Sequence, residues 1–203
     1  VIKFNKLFFL CIMAIVLITG CLSKTNTQVQ IKMKSEEEQK EIFVTYTFDD
    51  YKKVFDDAVS EANEFEGDEK LKKWIIRTLA QEKLYYETDL TDEQVIEVSK
   101  QAMEEDKAWK SIVKDEYGIT VSVEEVKNFI KEGPDTSDLP QHLAYAAALG
   151  LTLEELNHDF DRDIYEKNVI WLKLKPELEK KYDITDNNKQ VAKYEEEVKK
   201  HLN

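Results

Sequence analysis

Three segments of this chain open a helix in the same way. Thr91-Asp92-Glu93-Gln94, Ser122-Val123-Glu124-Glu125 and Thr152-Leu153-Glu154-Glu155 each place a hydroxyl residue three positions before Glu or Gln. In that capping-box pattern the hydroxyl accepts from a first-turn N–H, and the Glu or Gln side chain accepts from the cap's own N–H. Leu90, Val121 and Leu151 stand just before the three starts, where a hydrophobic staple would sit. Gly118 and Gly150 follow the apolar periodic stretches that precede two of them, as helix stops do. These signals fix where helices begin and end, and so predict a mainly α fold.

The other helices follow from apolar spacing. Asp49 or Asp50 is expected to cap a helix to about Phe65, carrying Tyr51, Val54, Phe55, Ala58, Val59 and Ala62. Gly67 and Asp68 break it, and a second helix runs from Glu69 to Tyr86. The helix after Thr91 reaches Tyr117. A short helix follows Ser122, then a loop with Gly133-Pro134 and Leu139-Pro140, then a small alanine-rich helix from Gln141 to Leu149. From Thr152 one long helix is expected to Tyr182. Pro176 should kink it or end it near Lys173, since proline lacks the N–H donor and clashes with the preceding turn. A last amphipathic helix covers Lys189–Leu202. Glu41–Phe48 is rich in β-branched and aromatic residues and predicts a short strand. It lacks a strand partner, so an extended segment packed on helices is the other reading.

The first residues predict export. Lys3 and Lys6 precede an apolar run from Leu7 to Ile18, and no acid appears before Glu36. That run is shorter than the roughly 20 residues of a spanning helix, and it has the layout of a secretory signal. Ile18-Thr19-Gly20-Cys21 resembles the lipobox of bacterial lipoproteins. The expectation is cleavage before Cys21 and lipid (a diacylglycerol group, with palmitate as a label) on its thiol. The protein would then be lipid-anchored at the cell membrane, on its extracytoplasmic face. Residues 1–20 are the expected signal peptide, 21–40 a polar tether with helix as the other reading near its end, and 41–203 a helical domain. Cys11 would leave with the signal and Cys21 would be lipidated, so no disulfide is expected within the mature chain.

Charge restricts the partners. There are 42 acidic residues against 29 basic ones, a formal net charge of −13. Loss of Lys3 and Lys6 would make the remainder more acidic. Such a surface repels nucleic acid, so no nucleic-acid partner is expected. Arg77 and Arg162 are the only arginines, which leaves little for bidentate phosphate recognition.

The stretches Glu116-Tyr-Gly-Ile-Thr-Val-Ser-Val-Glu-Glu-Val126 and Ala147-Ala-Leu-Gly-Leu-Thr-Leu-Glu-Glu-Leu156, then Arg162-Asp-Ile and the helix to Tyr182, carry a resemblance. Together they look like the extracytoplasmic chaperone domain of SurA and PrsA proteins and its trigger-factor relatives, over about Leu71–Tyr182. The resemblance implies a SurA N-terminal-like, multi-helix domain with one long C-terminal helix, which binds exported or unfolded polypeptides. Many family members carry a parvulin isomerase domain after that helix. Here 21 residues follow Tyr182, so the expectation is a binder without isomerase activity. Trp74, Trp109, Phe129, Tyr145, Phe160 and Trp171 are the candidate peptide-binding residues, because large amphipathic rings suit adaptable contacts. Each also falls at helical spacing and would serve equally as core. A helical adaptor or immunity-type lipoprotein with one basic partner is the alternative.

Sequence signals for catalysis and metal binding are weak. His142, His158 and His201 are scattered, and no Gly-x-Ser-x-Gly or phosphate-binding glycine loop is present. Asp159-Phe-Asp-Arg-Asp163 alternates like a calcium loop but lacks the glycine and the closing glutamate. It is expected to be a solvated helix face. No catalytic residue, metal or cofactor is therefore expected.

Overall fold

The computed structural model describes residues 29–202. The apolar run, the Ile18–Cys21 site and the start of the tether lie outside them. The fold is mainly α, with nine helices among the described residues. We number them α1 (Glu36–Thr45), α2 (Phe48–Ala62), α3 (Glu69–Tyr85), α4 (Asp92–Tyr117), α5 (Val123–Glu132), α6 (Pro140–Ala148), α7 (Leu153–Glu155), α8 (Arg162–Tyr182) and α9 (Asn187–Leu202). None of the described helices is long and apolar enough to cross a membrane.

The three expected capping boxes are present. Glu125 Oε2 accepts from Ser122 N at 2.7 Å, and Glu155 Oε2 accepts from Thr152 N at 2.8 Å. At Thr91 the reciprocal bonds are Thr91 N to Gln94 Oε1 at 2.9 Å and Gln94 N to Thr91 Oγ1 at 3.4 Å. Gly118 and Gly150 take left-handed φ values of 64° and 69°. After Gly118 the Ile119 N–H reaches back to the Val113 carbonyl at 3.2 Å, closing α4.

Several expectations are corrected. The segment Glu41–Phe48 is not a strand: it lies in α1 and the start of α2. Ser35 and Glu38 form a capping box that starts α1 before the β-branched residues begin, and Thr47 with Asp50 forms another for α2. Local capping outweighs strand propensity, which depends on context. Thr47, rather than Asp49 or Asp50, is thus the cap of α2. Extended backbone occurs earlier, inside the stretch expected as tether: Met33 pairs with Tyr86 in an isolated antiparallel bridge, and Lys34 N donates to the Tyr85 carbonyl at 2.8 Å.

The long helix expected from Thr152 is interrupted. After α7 comes a π-helical turn, Leu156–Phe160, and α8 starts anew at Arg162. The wider turn admits an extra residue. Asp161 caps α8 and is buried, so Asp159–Asp163 is not a uniformly solvated face. Its carbonyl accepts from Ile164 N at 2.9 Å. Of the two outcomes expected of Pro176, the end near Lys173 does not occur: the helix runs on to Tyr182 with Pro176 inside it. The carbonyl that loses its partner belongs to Leu172, which is 49% exposed, so solvent can satisfy it.

The chain forms two compact units. The first holds Thr27–Met103 and Asp135–Phe160; the second holds Glu104–Pro134 and Asp161–Asn203. In the first, α2, α3 and α6 close on one core. Tyr51, Phe55, Ile75, Leu79 and Leu84 fill it, and Ala58, Ala62, Ala144 and Ala146 let the helices approach closely. Phe55 stacks on Tyr51 with ring centroids 6.1 Å apart and meets Tyr145 at 4.8 Å. The second unit has two smaller clusters. One gathers Ile112, Val113, Ile170, Leu174, Leu178, Tyr194 and Val198; the other gathers Val126, Ile130, Tyr165 and Val169.

Candidate functional site

The six aromatic candidates fall into both units. In the first, three of them form a chain of contacts. The Arg77 guanidinium lies 5.1 Å from the Trp74 ring centroid and 5.7 Å from that of Phe160. Phe160 in turn meets Tyr145 edge to face at 5.9 Å. Tyr145 is 5% exposed and belongs to the core, whereas Trp74 and Phe160 are partly buried. Lys73 adds a second cation over Phe160, at 5.4 Å. This is a cation–aromatic patch on a helical scaffold.

In the second unit, Trp109 on α4 and Trp171 on α8 both pack against the Leu174–Tyr194 cluster and remain partly buried. Phe129 lies on the other cluster, beside Tyr165 at 6.4 Å. The face of Trp109 carries Lys167 at 4.9 Å, and its edge meets Tyr194 of α9 at 5.2 Å and 85°. Burial lowers the affinity of Lys167 for its proton, and Asp106 opposes that at 3.3 Å. The Trp171 indole N–H donates to Asn187 Oδ1 at 3.3 Å, and the Tyr194 hydroxyl donates to the Trp109 carbonyl at 2.8 Å. Both tryptophans are therefore met by the same helix, α9.

Around them is a polar cluster that the sequence reading did not single out. Glu197 of α9 accepts from the Tyr117 hydroxyl at 2.7 Å, from Lys181 Nζ at 2.9 Å and from the Tyr182 hydroxyl. Burial works against ionising Glu197, but the bonds from Tyr182, Tyr117 and Lys181 outweigh it and hold the carboxyl below its ordinary value. Burial raises the Tyr117 and Tyr182 phenols. Lys181 loses some stabilisation of its charge to burial, yet its hydrogen bonds to Tyr117 and Glu197 raise it overall. Each group thus keeps its neutral-pH state more firmly than in water. Such a network suits gripping a helix rather than passing protons. Glu116, Tyr117, Glu177, Lys180 and Lys181 line a cleft of about 330 Å³ beside it. The signal for this cluster lay in the last amphipathic stretch, where Gln190, Tyr194 and Val198 recur every four residues.

The first unit holds a second polar cluster. His142 Nε2 lies 2.8 Å from Asn157 Oδ1, Asn157 Nδ2 donates to Asp135 Oδ1 at 3.0 Å, and His158 Nε2 lies 2.9 Å from Asp135 Oδ2. Two of the three histidines, scattered in sequence, thus converge on one aspartate–asparagine pair. They tie the Pro134–Thr136 turn and α6 to the π-helical turn. Among the described residues, no group of three or more His, Cys, Asp or Glu is arranged to hold a metal ion.

Compared with protein-family models, curated proteins and solved structures, the chain matches none of them.

Proposed function

We propose that this protein is an exported lipoprotein, anchored through Cys21 at the outer face of the cell membrane, that binds exported or unfolded polypeptides without isomerising them. The observation that carries the reading is the pair Trp109 and Trp171, partly buried on one helical unit and bordered by lysines and glutamates. Broad aromatic rings supply contact area at low conformational cost, and a charged rim discourages self-association. The partly exposed Trp74–Arg77–Phe160 group offers a second contact of the same kind. The resemblance to SurA and PrsA chaperone domains points in the same direction, and the lipobox supplies the location. No cofactor enters this reading.

The test has two parts. Cells expressing the protein and fed labelled palmitate should label the wild type and not Cys21→Ala. The purified protein should then slow aggregation of a chemically unfolded client, with proline isomerase activity at background. Absence of both lipid label and client binding would overturn the reading. Recovery of one stoichiometric, salt-sensitive partner would mark a dedicated adaptor instead.

A further inference from the structure

We propose that α9 is a resident ligand: a displaceable helix seated where the second unit takes amphipathic helical segments of other polypeptides. This deepens the polypeptide-binding reading and rests on it. The seat is formed by α4 and α8 and presents Trp109, Tyr117, Trp171, Lys181 and Tyr182.

What α9 puts into this seat is a helix-in-groove pattern. Only Gln190, Tyr194 and Val198 are buried among its sixteen residues, one per turn along a single stripe. α8 of the same unit buries six residues. One of the three buried α9 side chains is polar. Gln190 donates to the Ile184 carbonyl at 2.6 Å, yet its buried Oε1 has no donor among the described residues. A buried acceptor left without a donor weakens the fit of the helix to its seat. Within the stripe Gln190 also donates to the Lys175 carbonyl at 3.4 Å and the Tyr194 hydroxyl to the Trp109 carbonyl at 2.8 Å, while Asn187 at Trp171 and Glu197 at Tyr117, Lys181 and Tyr182 attach the helix at its edges. The connection from α8 is a short turn through Asp183, whose φ of 55° lies in the left-handed region. The covalent link keeps the helix at high local concentration, so a modest fit is enough to hold it.

The seat therefore favours a partner helix with an aromatic residue, an aliphatic residue four positions on, and a carboxylate between them three positions after the aromatic one. That is the order Tyr194, Glu197, Val198. A client segment of this kind would compete with α9 for the two tryptophans.

The experiment uses the whole protein, wild type and Glu197→Gln, with a labelled synthetic peptide of residues 187–202 as probe. In the variant the resident helix lacks the carboxylate that the peptide retains, so the peptide should bind about tenfold more tightly than to wild type. A peptide carrying Tyr194→Ala should bind neither protein. Hydrogen exchange on the wild type should show α9 amides opening at least roughly tenfold faster than those of α8. Exchange of α9 together with α8, or equal failure of the peptide on both proteins, would overturn the proposal. An unfolded client that displaces the peptide supports both readings. A client that binds while α9 stays protected overturns this one. Peptide entry with no competing client would uphold the seat and overturn the general binding of unfolded chains.

Discussion

The two units are held together by different means. The first has one continuous apolar core, where alanines bring α2, α3 and α6 close and Tyr51, Phe55 and Tyr145 stack in series. The second divides its apolar residues between two smaller clusters, and, like the first, where Lys83 meets Glu61 at 2.6 Å, it carries charged contacts. Lys110 lies 3.0 Å from Asp106, Lys167 lies 3.3 Å from the same carboxylate, and Lys181 reaches Glu197 at 2.9 Å. Close packing around one continuous core resists local opening, and apolar residues split between smaller clusters give less of it. The first unit therefore reads as scaffold, and the second as the place where a helix can be exchanged.

Substitutions can break or sharpen that contrast. The largest effect is expected from Phe55→Ala, which empties the centre of the first core. A loss of about 3–5 kcal/mol should appear in denaturant unfolding. A loss below about 1 kcal/mol would mean that the first unit is no better packed than the second. Next is Ser99→Ala. Ser99 and Thr78 are both buried and share a hydrogen bond of 2.8 Å, so removing one hydroxyl strands the other. The cost should be about 1–3 kcal/mol, read by the same assay. Thr47→Ala removes the α2 cap and should cost about 1 kcal/mol.

The smallest effect is conditional on pH. Glu197 has a folded-state affinity for protons below its ordinary value. Its stabilising contribution is therefore complete above the ordinary carboxylate range and is lost as pH falls through the depressed folded value. Glu197→Gln should flatten the acid side of the stability profile and leave the scaffold's own acid sensitivity in place. An unchanged profile would remove the ionised grip from the account.

The helix starts were readable because a capping box is local: four residues contain both partners. Ser35-Glu36-Glu37-Glu38 obeys the same rule, yet its charged surroundings resembled a solvated tether. The β-branched residues after it then suggested a strand that the box had already precluded. The π-helical turn was not legible, because it depends on burying Leu156, Asn157 and Asp161, which periodicity alone does not show. For the site, spacing marked the tryptophans as large rings on helix faces. It did not reveal that Trp109 and Trp171 meet the same helix, since their partners Tyr194 and Asn187 lie far along the chain from Trp109 and on a separate helix from Trp171. The histidine pairing was hidden for the same reason: His142 and His158 are joined through Asn157 and Asp135.

The most direct test of the central claim is a titration of one unfolded client against wild type and the double variant Trp109→Ala, Trp171→Ala, with circular dichroism confirming that the variant keeps its helices. The account predicts a binding loss of roughly tenfold or more, as expected when two aromatic anchors are removed. Equal affinity for a variant that remains folded would contradict it.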